Sequence, residues 1–423
     1  MPAFYIAPEA SIRYVFVGPT GARATLNDPS DPDFVGYLDG EEAISGIESP
    51  EIRDSYADLA DADGGMAGTN FYSRRPIVMN GKVFPTSATD RNTKLGKLMA
   101  ATDARFADGT LYWTPSGGEE VFVKFRRQLP FRAKGGFNKE FMLGLVCADP
   151  RIYTVRSTTV YTETNGNSSA RDYRRFTYNS GSSYAAASRA LYLEPGTYTV
   201  RMSVRADYSA PGIYLWADPT VGGGNIANPA PNTWTTVSRT FTKTTNAATP
   251  HYVVLYTSNL PGVVSVETGD LRVDAVSYGG YPMAANAPFA DNWAVSSGWS
   301  SSWQTASPPD DGPLNVGNAP SPPRQRLLGP FSGIYVSSVS GTPQVGLYPT
   351  SAYSGSDYAV IDHRNRTVIK NNSSSDYASV EPLYTRWGGV SPESGPGSAP
   401  YIIAYSGAST ATRLETSFRG AWL

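Results

Sequence analysis

Residues able to move protons, bind metal or attack a carbonyl are scarce in this 423-residue chain. It has two histidines, His251 and His363, and one cysteine, Cys147. His251 follows Pro250 at the start of an expected strand and His363 stands in an expected hairpin turn. Both read as surface or turn residues, and two lone histidines from different domains make a poor metal site. A single cysteine allows neither an intrachain disulfide nor a cysteine-based zinc site, and Cys147 reads as a small buried hydrophobe. No Gly-x-Ser-x-Gly elbow falls at a strand-to-helix turn. Gly222-Gly223-Gly224 lacks the Gly-Lys-Ser/Thr ending of a phosphate loop and reads as a flexible tip. Asp61-Ala62-Asp63-Gly64 starts like a calcium loop but has no glutamate at the required spacing. No pair of carboxylates stands out as the two catalytic acids of a glycosidase. These residues lean towards binding and assembly: no enzyme activity and no cofactor are expected.

Composition is compatible with that. Hydrophobic residues make up 40% and charged residues 17%, as in a folded, weakly charged protein. The 41 Gly, 33 Pro and 27 Tyr imply many turns and many aromatic strands, hence a mainly β protein. A net charge of −2 gives no general attraction to nucleic acid. The first residues carry no basic n-region and no long apolar h-region, and no run approaches transmembrane length. Synthesis in a cytoplasm without general secretory export is therefore expected.

The elements that would position a site fall into three parts. Residues 1–154 read as a β domain with short strands, a turn at Asp39-Gly40, a hairpin signal at Asn80-Gly81 and one helix over 90–103. Thr89 or Asp90 is the expected cap, and Leu95, Leu98, Met99 and Thr102 are the expected core stripe. The alternating strands 121–127 and 137–147 read as a long hairpin with a basic tip. That tip is either a solvated loop or an arm reaching a neighbouring subunit, and Arg126, Arg127, Arg132 and Lys134 are its candidate contact residues. Residues 155–285 give about eight short strands at sandwich spacing. Residues 286–312 read as a Trp/Ser/Pro-rich linker whose Trp293, Trp299 and Trp303 should pack on a domain surface or bind something. Residues 313–423 read as another all-β sandwich.

Several stretches resemble one family. Leu38-Asp39-Gly40 with Gly46-Ile47, Phe71-Tyr72-Ser73-Arg74-Arg75, Asp108-Gly109-Thr110-Leu111-Tyr112-Trp113 and Ala148-Asp149-Pro150-Arg151-Ile152-Tyr153 lie in the first part. Asn315-Val316-Gly317-Asn318-Ala319-Pro320 with Pro323 and Gly329-Pro330, Asp362 with Arg366-Thr367-Val368, and Phe418-Arg419-Gly420-Ala421-Trp422-Leu423 lie in the third. In order and position they resemble the distal tail proteins of long, non-contractile-tailed bacteriophages (siphophages). The resemblance implies an N-terminal belt sandwich with one helix and a hairpin arm, joined to a C-terminal galectin-like sandwich. It implies a homo-oligomer, a hexameric ring in the virion tail tip. That ring joins the major tail tube protein to the tail-associated hub protein, with DNA passing through the lumen without specific binding. About 150 residues intervene between the two parts, more than the short family form has. Their pattern is similar to carbohydrate-binding modules, implying a hold on host cell-wall glycans. An exposed aromatic stacking on a pyranose would serve that role. Tyr214 and Trp216 are the first candidates and Trp234 the next, with a core position the alternative for Trp216 and Trp234. Asp270 and Asp274 are weak calcium candidates. A glycan-binding or glycan-degrading accessory protein, and an architectural insert without ligand, are the competing readings.

Overall fold

The computed structural model describes residues 12–39, 43–48, 50–53, 56–58, 65–67, 71–116, 118–163, 172–179, 185–207, 213–216, 230–257, 265–268, 271–276, 289, 293–305, 319–338, 344–349, 351–380, 385, 387, 401–406 and 411–423. Among these the chain is mainly strand, with a single α-helix, Ala88–Thr102. This is the mainly β class expected. Asp61-Ala62-Asp63 and Gly222-Gly223-Gly224 lie outside the described residues. The chain divides into two compact units, Met1–Val155 with Ala421–Leu423, and Arg156–Gly420. Among the described residues there are three hydrophobic cores, one in the first unit and two in the second.

In the first unit, Tyr14–Val17 pairs with Arg23–Leu26 on one edge and Gly109–Trp113 on the other, and Gly109–Trp113 pairs onward with Val121–Arg127. A second sheet is built on Arg75–Val83, which pairs along its whole length with Lys139–Cys147. Its other edge takes Phe34–Leu38 and Ile44–Ser45. Tyr14, Phe16, Leu111, Phe125, Leu143 and Leu145 join one apolar core, with Phe16 and Phe125 edge to face at 5.9 Å. Burial contributes about 1.5–3 kcal/mol for each such large side chain. Cys147 lies in this core, where burial pushes its thiol up to about 12.

The helix starts two residues earlier than expected because Ser87 caps it. The Ser87 hydroxyl accepts from the Asp90 N–H at 3.0 Å, while the Asp90 carboxylate accepts from the Thr86 N–H at 2.8 Å. Its buried residues are Leu98, Ala101 and Thr102, and Met99, expected in the core, is 46% exposed. The helix backbone comes close to Gly18, where a Cβ would lie 2.9 Å from the Ala100 carbonyl oxygen. The helix therefore faces the core with Leu98, Ala101 and Thr102, supported by partly buried Leu95, and Met99 lies off that face.

The hairpin also differs from a free arm. Strands Val121–Arg127 and Lys139–Cys147 meet only where Arg126 faces Val146 and Arg127 faces Leu145. The return strand otherwise pairs with Arg75–Val83, and near the tip with Arg132–Lys134. Residues 132–138 stand exposed.

The second unit begins with a two-sheet sandwich. Gly196–Ala206 is central in the first sheet, flanked by Thr235–Lys243 on one edge and by Leu271–Ala275 and Ser265–Thr268 on the other. Ser265–Thr268 pairs with Asp172–Tyr178, which pairs with Trp299–Thr305. The second sheet orders Ile213–Trp216, His251–Thr257, Ala185–Leu191 and Ala294–Val295. Tyr198, Val200, Met202 and Val204 point into the core between the sheets. Part of the expected linker belongs to this sandwich. Trp293 and Trp299 are buried in its core, and Trp299–Thr305 is one of its strands. A Ser-rich strand can be an ordinary outer strand when its few aromatics supply the apolar contact. The Trp303 side chain lies outside the described residues.

The second core of this unit lies between a sheet of Arg324–Leu328, Tyr358–Asp362, Thr367–Lys370 and the start of Arg413–Trp422, and a sheet of Gln344–Leu347, Gly333–Ser338 and Tyr401–Ser406. Phe418 is buried in it, whereas Trp422 packs in the core of the first unit. The last residues, expected to close the third part, are thus divided between two cores.

Candidate functional site

One residue gathers the first unit's sequence motifs. Arg75 has the same strand parity as Ile77 and Met79, so the alternation of Arg75–Val83 carries it inward, and it is fully buried. Its Nε donates to the Pro150 carbonyl at 2.7 Å, and its Nη1 donates to the Ile47 carbonyl at 2.7 Å, the Gly46 carbonyl at 3.2 Å and the Glu48 carbonyl. Gly46 sits at φ +84°, and a Cβ there would collide with the Pro76 carbonyl. Beside this hub, Asp149 accepts from the Tyr153 hydroxyl at 2.7 Å and from the Arg151 backbone N–H at 3.1 Å. Gly46-Ile47, Arg75 and Asp149-Pro150-Arg151-Ile152-Tyr153, separate in sequence, are one cluster in space. Strand parity alone could have marked Arg75 as buried.

The four arm candidates divide into two pairs. Arg126 pairs with Asp108 at 2.8 Å and Arg127 with Asp103 at 3.0 Å, so both are tied to the body of the sandwich. Arg132 and Lys134 stand at the exposed tip, Lys134 with an 85% exposed side chain 3.8 Å from Glu140. Such exposed pairs contribute little to stability.

In the first sandwich of the second unit, Tyr214 and Trp216 lie on the edge strand Ile213–Trp216, opposite Tyr256 and Val254. Their side chains lie outside the described residues, as does Asp270. Trp234 is half-buried, with the Arg205 guanidinium 5.1 Å from its ring centroid. Asp274, the other calcium candidate, has cations as its neighbours. It is fully buried among Arg201, Arg156 and Arg272, and Thr158 donates to its other oxygen. Three guanidinium groups would repel a cation from that position. Burial alone would raise its carboxyl, but the arginines and the Thr158 hydroxyl hold it below the usual carboxylate range. Glu267 is bracketed in the same way by Arg175 and Arg205.

Both histidines stand where the sequence placed them, His363 in the turn between Tyr358–Asp362 and Thr367–Lys370 and His251 first in its strand, but neither is a fully exposed surface residue. His363 is buried, 4% exposed, with its Nε2 3.0 Å from the Gln325 Oε1 and its ring edge-on to Trp387 at 5.6 Å. Burial lowers its pKa from 6.5 to about 4. The unfolded chain therefore takes up the proton first on acidification. The contribution of neutral His363 is fully present above pH 6.5 and is lost as pH falls towards 4, by about 3 kcal/mol at most. Urea unfolding at stepped pH should show this loss, and H363F, lower in stability at neutral pH, should show a flatter profile across the same window. His251 is half-buried and stacks on Phe241 at 4.0 Å.

The fold defined by these elements is a multi-sandwich β protein with one helix. No family model and no curated protein matches the chain. Among solved structures it is similar to the SPP1 Dit (gp 19.1) protein, described as a paradigm of the hub adsorption apparatus in phages infecting Gram-positive hosts. That likeness has 14% identity and a TM-score of 0.25, over 56% of this chain and 93% of that one. It is also similar to a chain of the phage P2 baseplate in its activated conformation with Ca, at 8% identity and TM-score 0.34, covering 96% and 97% of the two chains. The corresponding baseplate with Sr gives 8% identity and TM-score 0.35 over the same shares. These are distant likenesses.

Proposed function

We propose that this chain is a structural component of a bacteriophage tail tip, a distal tail protein with an inserted glycan-binding sandwich. The observation that carries the reading is the Arg75 cluster. The motif residues that resemble the family, Gly46-Ile47, Arg75 and Pro150, meet at one buried hub in a β-sandwich that also presents a helix and an exposed basic tip. In this reading the first unit closes a hexameric ring in the virion. The ring binds the major tail tube protein on one side and the tail-associated hub protein on the other. Arg132 and Lys134 reach the neighbouring subunit, as suits a head-to-tail closed interface. The role is structural rather than catalytic, and the insert adds attachment to host cell-wall glycans.

Light scattering and negative-stain microscopy of the purified chain test the ring. A closed ring is expected, and reversing both tip charges with R132E and K134E should shift the protein to smaller species without changing its unfolding midpoint. A wild-type chain that stays monomeric at every concentration sinks the ring reading.

A further inference from the structure

The inserted sandwich has a charged outer face that none of the aromatic candidates indicated. On Gly196–Ala206 the even positions enter the core, so Thr197, Thr199, Arg201 and Arg205 lie partly exposed on the other face, with Ser203 buried between the two arginines. Strand register sets Thr199 beside Asp274, Arg201 beside Arg272 and Arg205 beside Glu267. Arg175 faces Glu267 from the next strand, and Arg156 reaches Asp274. Five guanidinium groups thus pack around two carboxylates. Arg201 directs its Nε and one Nη N–H at Asp274 while its side chain stays 25% exposed, which leaves three N–H groups of its fork for another acceptor. Arg201 and Arg205, four residues apart on one strand, place two such clusters about 13 Å apart.

The neighbouring strand adds hydroxyls. Thr240 and Thr242 bond Thr199 and Thr197 across the ladder, and exposed Ser238 lies directly opposite Arg201. Trp234 stands at the margin beside Arg205. Guanidinium forks suit carboxylate and phosphate oxygens, and an adjoining hydroxyl ladder with an aromatic margin suits a sugar better than a stacked nucleic acid. We propose that this face, formed by Arg156, Arg175, Arg201 and Arg205 with Ser238 and Trp234, binds a glycan carrying carboxylate or phosphate groups. This deepens the glycan-binding reading and rests on it.

Binding of the full chain to polygalacturonate, to poly(glycerol phosphate) and to neutral dextran tests the proposal. The first two distinguish carboxylate from phosphate as the recognised group. Because removing Arg201 or Arg205 disturbs the ion pairs, the variants are placed at exposed Ser238. S238E should weaken binding to the preferred acidic polymer about tenfold, S238K should strengthen it, and added salt should weaken it. Y252E, on the outer face of the opposite sheet, should leave it unchanged. Equal binding of dextran, or binding lost in Y252E and kept in S238E, overturns the charged face while leaving a glycan-binding insert. Tighter binding of single-stranded DNA that responds to S238E overturns the glycan as occupant. Binding to no polysaccharide overturns both readings.

Discussion

R75M should lower the stability of the first unit by about 3–5 kcal/mol, and R74M, one residue away, should change it by less than about 0.5 kcal/mol. The contrast follows from strand parity. Arg74 is exposed, whereas Arg75 is fully buried and donates to four carbonyls, those of Gly46, Ile47, Glu48 and Pro150. Methionine fills much of the arginine's volume but supplies no donor. Each carbonyl left without a partner costs about 1–3 kcal/mol, offset where water can enter. The desolvation of the guanidinium, which lowers its pKa, is relieved by the substitution and keeps the net below the simple sum. Urea unfolding of the two variants, followed by near-UV circular dichroism, measures the difference. Equal midpoints would mean that the carbonyls find other donors and that Arg75 does not hold Gly46–Glu48 to Pro150.

The same parity shows how much could be read from the chain itself. The hairpin turn expected at Asn80-Gly81 is instead the middle of the strand Arg75–Val83, where Asn80 and Gly81 pair with Met142 and Phe141, and within that strand Arg75 shares the inward positions with Ile77, Met79 and Val83. What the alternation could not supply was the set of acceptors, since Pro150 lies 75 residues away. The eight strands expected between 172 and 278 correspond to Asp172–Tyr178, Ala185–Leu191, Gly196–Ala206, Ile213–Trp216, Thr235–Lys243, His251–Thr257, Ser265–Thr268 and Leu271–Ala275, because each carries its own period-2 signal and turn residues. The stretch 293–305 was misread because composition averages over a window. Serines set the average there, while Trp293 and Trp299 set the packing. Met99, expected in the core stripe, is 46% exposed, because the inward face runs through Leu98, Ala101 and Thr102. The charged face was out of reach of local reasoning: Arg156, Arg175, Arg201, Arg205 and Arg272 come from four strands, and only the register brings them together.

D274A should destabilise the second unit by about 3–5 kcal/mol, and calcium or a chelator should leave the unfolding midpoint of the wild-type protein where it is. Asp274 is the negative centre of its cluster. Arg201 donates its Nε at 2.7 Å to the same oxygen that Arg156 approaches at 3.2 Å, and Arg272 lies 3.5 Å from the other oxygen. Without it, Arg201 and Arg272, directly opposite each other on adjacent strands, become an unscreened like-charge pair, and buried Arg272 loses the carboxylate that offsets its desolvation. The carboxyl is held below its ordinary value of 3.8, so the sign is that of a depressed acid. Its contribution is complete above pH 3.8 and fades as pH falls through the lower folded value, beneath the window in which His363 acts. Acid unfolding should therefore separate the two groups. H363F removes the pH dependence between 6.5 and about 4, whereas D274A lowers stability throughout that range and removes the steeper loss below it. A double variant, D274A with R201M, should recover part of the loss, because removing one guanidinium relieves the repulsion left by the missing carboxylate. Losses that simply add would show that Asp274 acts through Thr158 and packing, not through the arginines.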